Sequence, residues 1–147
     1  GQRYDAAGDA VGTELQINSY TTSQQSQSSV TGLDDGGFVV TWESFNQDGH
    51  HYGVYGQHYD ADGGEVGSEF LVNSTTASVQ SQPSISSLSD GGFVVSWSSN
   101  GQDGSQYGIY AQRFSFTSAT ARKTVLLWTW TYQCWVATLT VMTMDQA

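Results

Sequence analysis

The chain repeats itself every 55 residues, and that period limits the fold more than any other feature, because each unit must bury its apolar faces against copies of itself. Gly1-Gln2-Arg3-Tyr4-Asp5-Ala6 returns as Gly56-Gln57-His58-Tyr59-Asp60-Ala61 and, more weakly, as Ala111-Gln112-Arg113-Phe114. Asp35-Gly36-Gly37-Phe38-Val39-Val40-Thr41-Trp42 maps without a gap onto Asp90-Gly91-Gly92-Phe93-Val94-Val95-Ser96-Trp97. Gln47-Asp48-Gly49 maps onto Gln102-Asp103-Gly104, and Tyr52-Gly53-Val54-Tyr55 onto Tyr107-Gly108-Ile109-Tyr110. Of the 55 pairs between residues 1–55 and 56–110, 32 are identical, which chance does not produce.

Each period predicts four strands. Ser84 to Leu88 is short and β-compatible. Gly92 to Trp97 alternates, with Phe93, Val95 and Trp97 on one face and Val94 and Ser96 on the other. Tyr52 to Tyr59 places Tyr55, Gln57 and Tyr59 opposite Tyr52, Val54 and His58, and Ser68 to Asn73 supplies the fourth strand. Asp-Gly clusters at 34–37, 46–49 and 60–64 separate them, and such steps favour tight turns because Gly takes positive φ without a steric penalty. No stretch before residue 117 has a helical period. The expected fold is all-β, built of β-propeller-like blades of four antiparallel strands. The alternative is a stacked β-sandwich, although a sandwich module usually needs ~100 residues and about seven strands.

Composition narrows the function classes. Only 12% of residues are charged and 17 of 147 are Gly, which excludes a coiled coil. Aromatics make up 13%, too many for a disordered solvating chain. Four Lys+Arg against fourteen Asp+Glu give a net charge of −10, and only Arg3 precedes Arg113, so phosphate contacts and nucleic-acid binding are not expected. The single Cys134 allows no intramolecular disulfide and no Cys-based zinc site. No run approaches ~18 apolar residues, so no membrane insertion by a helix is expected. Gly1-Gln2-Arg3-Tyr4 lacks the basic and apolar regions of a signal peptide.

The repeat organises residues 1–115, as a partial blade, a full blade and a second partial blade, and decays over 116–147. Thr124 to Leu127 still reads as a fourth strand, and Val136 to Thr140 as a first strand restarting about four residues early. Between them Trp128-Thr129-Trp130-Thr131-Tyr132-Gln133-Cys134-Trp135 replaces the Ser/Thr/Gln-rich stretch at 74–82. This apolar, β-prone tail is either a divergent cap or the product of a shifted reading frame, and in both cases it needs burial.

The run DGGFVVTW, followed by QDG, YGVYGQ, DADG and FLVNS, resembles the tandem repeats of very large secreted bacterial proteins that carry haemolysin-type (RTX) calcium-binding repeats. The resemblance covers residues 1–115. It implies a secreted or cell-surface, adhesin-like protein with a non-catalytic binding or spacing role, and an association with calcium. The calcium nonapeptide G-G-x-G-x-D-x-U-x is itself absent from the sequence.

Candidate chemistry sits in the turns. Asp60, Asp62 and Glu65 have the alternate-carboxylate spacing of calcium loops, although an Asp-x-x-Gly hairpin turn is the favoured explanation. Gln47 and Asp48, with Gln102 and Asp103, keep one carboxylate per repeat in a loop and form a candidate repeated ligand contact; an Asx-turn is the alternative. Tyr52, Tyr55, Tyr107 and Tyr110 beside those Asp residues are expected to be exposed and able to stack on sugar rings, as in a propeller lectin. His50, His51 and His58 align with Ser105, Gln106 and Arg3 or Arg113, so the repeat does not require them. No catalytic signature is present, and Asp34-Asp35 becomes Ser89-Asp90 in the second repeat, which reads as a turn. The chain is therefore expected not to be an enzyme, with a fragment of a secreted hydrolase as the remaining alternative. Finally, 147/55 is 2.67 periods, while closed propellers use 4–8 blades, so open edges and apolar faces predict a homo-oligomer, a dimer or trimer closing a ring.

Overall fold

A computed structural model describes residues 1–117, 120–121, 127–131 and 134–138. Its elements are β1 (Arg3–Tyr4), β2 (Ala10–Val11), β3 (Gln25–Gly32), β4 (Phe38–Phe45), β5 (Tyr52–Tyr59), β6 (Glu65–Leu71), β7 (Gln80–Ser87), β8 (Gly92–Asn100), β9 (Tyr107–Thr117), β10 (Thr120–Ala121), β11 (Leu127–Thr131) and β12 (Cys134–Thr138). The fold is all-β, every strand pairing is antiparallel, and no helix occurs among the described residues. Each 55-residue period makes one four-stranded meander, β3-β4-β5-β6 and then β7-β8-β9-β10. Among the described residues the sheets do not close into a ring.

The Asp-Gly-Gly-Phe turn shows why two glycines recur. Gly36 and Gly91 take φ of 86° and 81°, a left-handed conformation that side chains resist. Gly37 and Gly92 are needed for space, since a Cβ there would lie 2.5 Å from the carbonyl oxygens of Tyr59 and Phe114. Asp35 and Asp90 close the turn by accepting the N–H of Gly37 and Gly92 at 2.9 and 3.2 Å. The following strand then starts in register, Phe38 opposite Tyr59 and Phe93 opposite Phe114, and both aromatic pairs stack at 4.9 Å between centroids with 10° between planes.

The two four-stranded sheets pack face to face. Phe93, Val95 and Trp97 of β8, with Ile85 of β7, bury against Val39 and Val54 on the far face of the first sheet and against Val72. The first sheet's own Phe38, Val40, Trp42, Tyr55 and Tyr59 form a second cluster on its opposite face, where Ile17 of the N-terminal segment packs. Every repeat thus turns the same aromatic face toward the segment before it. The strands nearest each other are β3 and β7. Side chains of the first sheet accept backbone N–H groups of β7: Glu43 from Gln82 at 3.1 Å, Ser29 from Ile85 at 3.4 Å and Thr31 from Ser87 at 3.1 Å. Bulges at Ser26/Ser29 and Ser81/Ser84, with Gln27 and Gln82 at φ of 54° and 56°, bend both strands at equivalent points.

Two sequence expectations on strand limits change. The fourth strand is Glu65–Leu71, not Ser68–Asn73, and the first strand of the second sheet starts at Gln80 rather than Ser84. Asn73 leaves the ladder because its side chain imitates a strand carbonyl: its Oδ1 accepts the Val54 N–H at 2.7 Å, while the Val72 N–H donates to the Val54 carbonyl at 2.8 Å. In the tail, Val136 to Thr138 does not begin a new four-stranded sheet in the described residues. It belongs to β12, which pairs with β11 as a hairpin, Trp130 opposite Trp135. The expected strand at 124–127 lies outside the described residues apart from Leu127.

Candidate functional site

The Gln-Asp-Gly loops follow β4 and β8 and are built alike. Asp48 Oδ1 accepts the His50 N–H at 3.0 Å, and Asp103 Oδ1 accepts the Ser105 N–H at 3.0 Å, so both carboxylates make an Asx-turn. The other oxygen of each is tucked over a glycine, where a Cβ on Gly53 or Gly108 would approach within 2.9 Å. Gln47 donates to Glu69 Oε2 at 2.8 Å, and Glu69 Oε1 accepts the N–H of Ser19 and, at 3.4 Å, of Tyr20. The loop is therefore tied to β6 and to the N-terminal segment.

Among the described residues both repeats leave the same buried atoms unpaired: the indole Nε1 of Trp42 and Trp97, and the Oε1 of Gln47 and Gln102. Asp48 Oδ2 is also unpaired. A buried polar atom without a partner is costly, so its recurrence one period on is a property of the repeat. The Gln47 and Gln102 oxygens and Asp48 Oδ2 leave the Gln-Asp loops with hydrogen-bonding capacity for a polar ligand or ordered water.

The tyrosines divide. Tyr107 is 60% exposed and Tyr52 half-buried, its hydroxyl donating to Gln24 at 2.9 Å. Tyr55 and Tyr110 correct the expectation that all four are exposed. Tyr55 is buried on the aromatic face with Trp42, and Tyr110 packs against the inter-sheet core. Each lies opposite the Trp of the neighbouring strand, Tyr55 opposite Trp42 and Tyr110 opposite Trp97, which puts it on the packed side of the pleat.

Of the proposed metal trio, Asp60 closes a turn. Asp60 Oδ1 accepts the N–H of Asp62 at 2.9 Å and of Gly64 at 2.7 Å, and Asp5 repeats the pattern with Ala7 and Asp9. Asp60, Asp62 and Glu65 are not drawn into a cluster, and the described residues contain no group of three His, Cys, Asp or Glu able to hold a metal ion.

Sequence reasoning passed over the residues that join the two sheets. Glu43 is the one carboxylate inside the apolar β4 strand, and it accepts from Ser26 Oγ at 2.9 Å as well as from Gln82. Its counterpart in the other repeat is Ser98, so the carboxylate is not part of the pattern the two repeats share. Asn73 and the fully buried Gln80 recur as Asn18 and Gln25, and in each pair the Asn amide donates to the Gln side chain at 3.4 Å. His58 stands beside Asp35 where Arg113 pairs with Asp90 in the next repeat.

Titration follows from this burial. Burial holds His58 below its ordinary value of 6.5, and Asp35 and Asp60 oppose that shift without reversing it. Burial, then Asp48 and Glu69, pushes Tyr55 up to about 12; burial, then Glu65 and Glu69, does the same for Tyr59. A histidine with a lowered folded value binds fewer protons folded than unfolded, so stability falls as pH drops below 6.5. A tyrosine with a raised value gives stability that is present below pH 10 and is lost as pH rises toward 12. The melting temperature should therefore hold across neutral and mildly alkaline pH and fall on both sides. His58→Gln should flatten the acid side, and an acid limb unchanged in that variant would contradict the assignment.

Comparison with protein-family models, with curated proteins and with solved structures finds no match to this chain.

Proposed function

We propose that the chain is a non-catalytic repeat module of a secreted or cell-surface, adhesin-like bacterial protein, in which each 55-residue unit acts as a propeller-type blade whose work is to stack. The observation that carries this reading is the seam between β3 and β7, where three first-sheet side chains take the backbone N–H groups of the next sheet's first strand. Adjacent inner strands and a shared aromatic core are how blades pack around an axis. The repeat's most regular residues, Phe93, Val95 and Trp97, are spent on that contact. The turn carboxylates are engaged with backbone N–H groups, which favours a stacking role over acid-base chemistry.

A lectin reading has one observation behind it: Tyr107 is exposed, one residue before the glycine that Asp103 covers. The reading that the blades stack predicts no binding on a glycan array and a melting temperature unmoved by calcium or chelator, since a ligand that binds only the folded state raises it. Glycan binding that Tyr107→Ala abolishes would replace it with the lectin. A calcium-dependent rise in melting temperature would instead make the loops metal-stiffened spacers.

A further inference from the structure

The internal seam between the two sheets defines two complementary surfaces, and each is present a second time without its partner among the described residues. The first lies on the outer face of the second sheet. Val94 and Ile109 stand where Val39 and Val54 stand in the first sheet, yet Val39 and Val54 are fully buried whereas Ile109 is 77% exposed. On the same face Ser84 and Ser86 are exposed, in the places of Ser29 and Thr31, the two hydroxyl residues that accept β7 N–H groups across the seam.

The second surface is a groove of about 910 Å³ on the aromatic face of the first sheet. Val30, Phe38, Val40 and Trp42 line it on one side and Leu15 and Ile17 on the other. Shifted by one period, its first wall becomes Ile85, Phe93, Val95 and Trp97, which is the surface that receives the first sheet across the seam. Val30 is 63% exposed there, whereas its counterpart Ile85 is 8% exposed. Residues 1–18 are equivalent to 56–73 and occupy only the outer-strand half of that place. The inner half, which β3 and β4 fill at the seam, is the groove.

We propose that a second copy of this chain docks head to tail, placing the β7–β8 half of its second sheet in the groove of the first sheet. The occupant is set by the seam itself. Ser84 and Ser86 of the incoming sheet would meet the N–H groups of Val30 and Gly32, as Ser29 and Thr31 meet those of Ile85 and Ser87. Val94 and Ile109 would cover Phe38 and Val40, as Val39 and Val54 join Phe93 and Val95 in one core. Incoming β9 from Ala111 onward is equivalent to residues 1–7, and one place cannot hold both. Docking therefore displaces the β1–β2 hairpin, which pairs by two residues per strand. The contact is heterologous, so it extends or closes a ring according to its rotation. It rests on the stacking role proposed for the repeat and adds to it which surfaces meet and in what order.

The test is mass in solution from micromolar to millimolar chain, by light scattering or sedimentation. The wild type should exceed 15.9 kDa as concentration rises. Hydrogen exchange within residues 1–11 should speed up over the same range. Ile109→Lys spoils one surface and Val30→Lys the other, and both side chains are exposed enough for the fold to tolerate the change. Each variant alone should stay at 15.9 kDa, and an equal mixture should form a 1:1 pair that does not grow, because one good surface of each kind remains. A wild type that stays at 15.9 kDa throughout, a variant that still associates alone, or a mixture that does not pair would overturn the proposal. None of these results alters the glycan and calcium readouts, so failure here is separable from failure of the stacking role.

Discussion

Phe93→Ala should destabilise the chain by about 3–5 kcal/mol, the usual cost of emptying a fully buried phenylalanine site. The ring has no exposed surface, stacks on Phe114 at 4.9 Å and meets Phe70 at 6.4 Å, so its loss opens a hole in the seam between the sheets. The informative comparison is with Phe38→Ala. Phe38 occupies the same position in the repeat and makes the same 4.9 Å stack, on Tyr59, but it is half-buried beside the groove. It should cost clearly less, about 1–2 kcal/mol, because less apolar surface leaves contact. Chemical denaturation of both variants checks this. Equal losses would mean that the two aromatic faces are equally covered, and the stacking described here would then be wrong.

Asn73→Ala should cost about 2–3 kcal/mol, a large effect for a polar residue. Its carboxamide works in both directions at the joint between repeats. Oδ1 accepts from the buried Val54 N–H, and Nδ2 donates to the Thr75 carbonyl at 3.0 Å and to Gln80 Oε1 at 3.4 Å. Alanine leaves the Val54 N–H without that acceptor in a place that water does not reach, and an unpaired buried donor costs its whole desolvation. Asn73→Asp keeps an acceptor for the Val54 N–H but turns a buried carboxylate oxygen toward the Thr75 carbonyl and Gln80 Oε1, so it too should destabilise the chain at neutral pH. If Asn73→Ala melts within a degree of the wild type, the carboxamide does not hold the joint.

The Gln-Asp loops show how far a site reads from a repeat. Their recurrence marked Gln47, Asp48, Gln102 and Asp103 as equivalent, and the structure makes them so, down to the same unpaired Gln oxygen. The recurrence carried no information on which neighbours they have. Glu69 sits 22 residues from Gln47, and its partners Ser19 and Tyr20 are about 50 residues away in the chain. The tyrosines illustrate the converse. Tyr52 and Tyr55 look alike as aromatic residues in a polar stretch, but alternation in β5 sends Tyr55 to the same face as Trp42, and that face is packed.

Local chemistry decided the units. The 55-residue period, the Asp-Gly-Gly turn with its two glycine requirements, the four-strand meander and the Phe-aromatic stack follow from residues close in the chain or paired across one hairpin. For that reason they are the same in both repeats. Tertiary structure decided what covers each sheet. β4 is buried on both faces from Val39 to Ser44, while β8 alternates between buried and half-buried, although the two strands read alike from Phe38 to Trp42 and from Phe93 to Trp97. A two-residue alternation says which side chains share a face. It does not say whether a neighbouring sheet lies against that face, because such contacts join residues 56 apart, such as Ser29 with Ile85 and Thr31 with Ser87. The burial of Val54 and the exposure of Ile109, two residues with nearly the same side chain at the same place in the repeat, come from that difference alone.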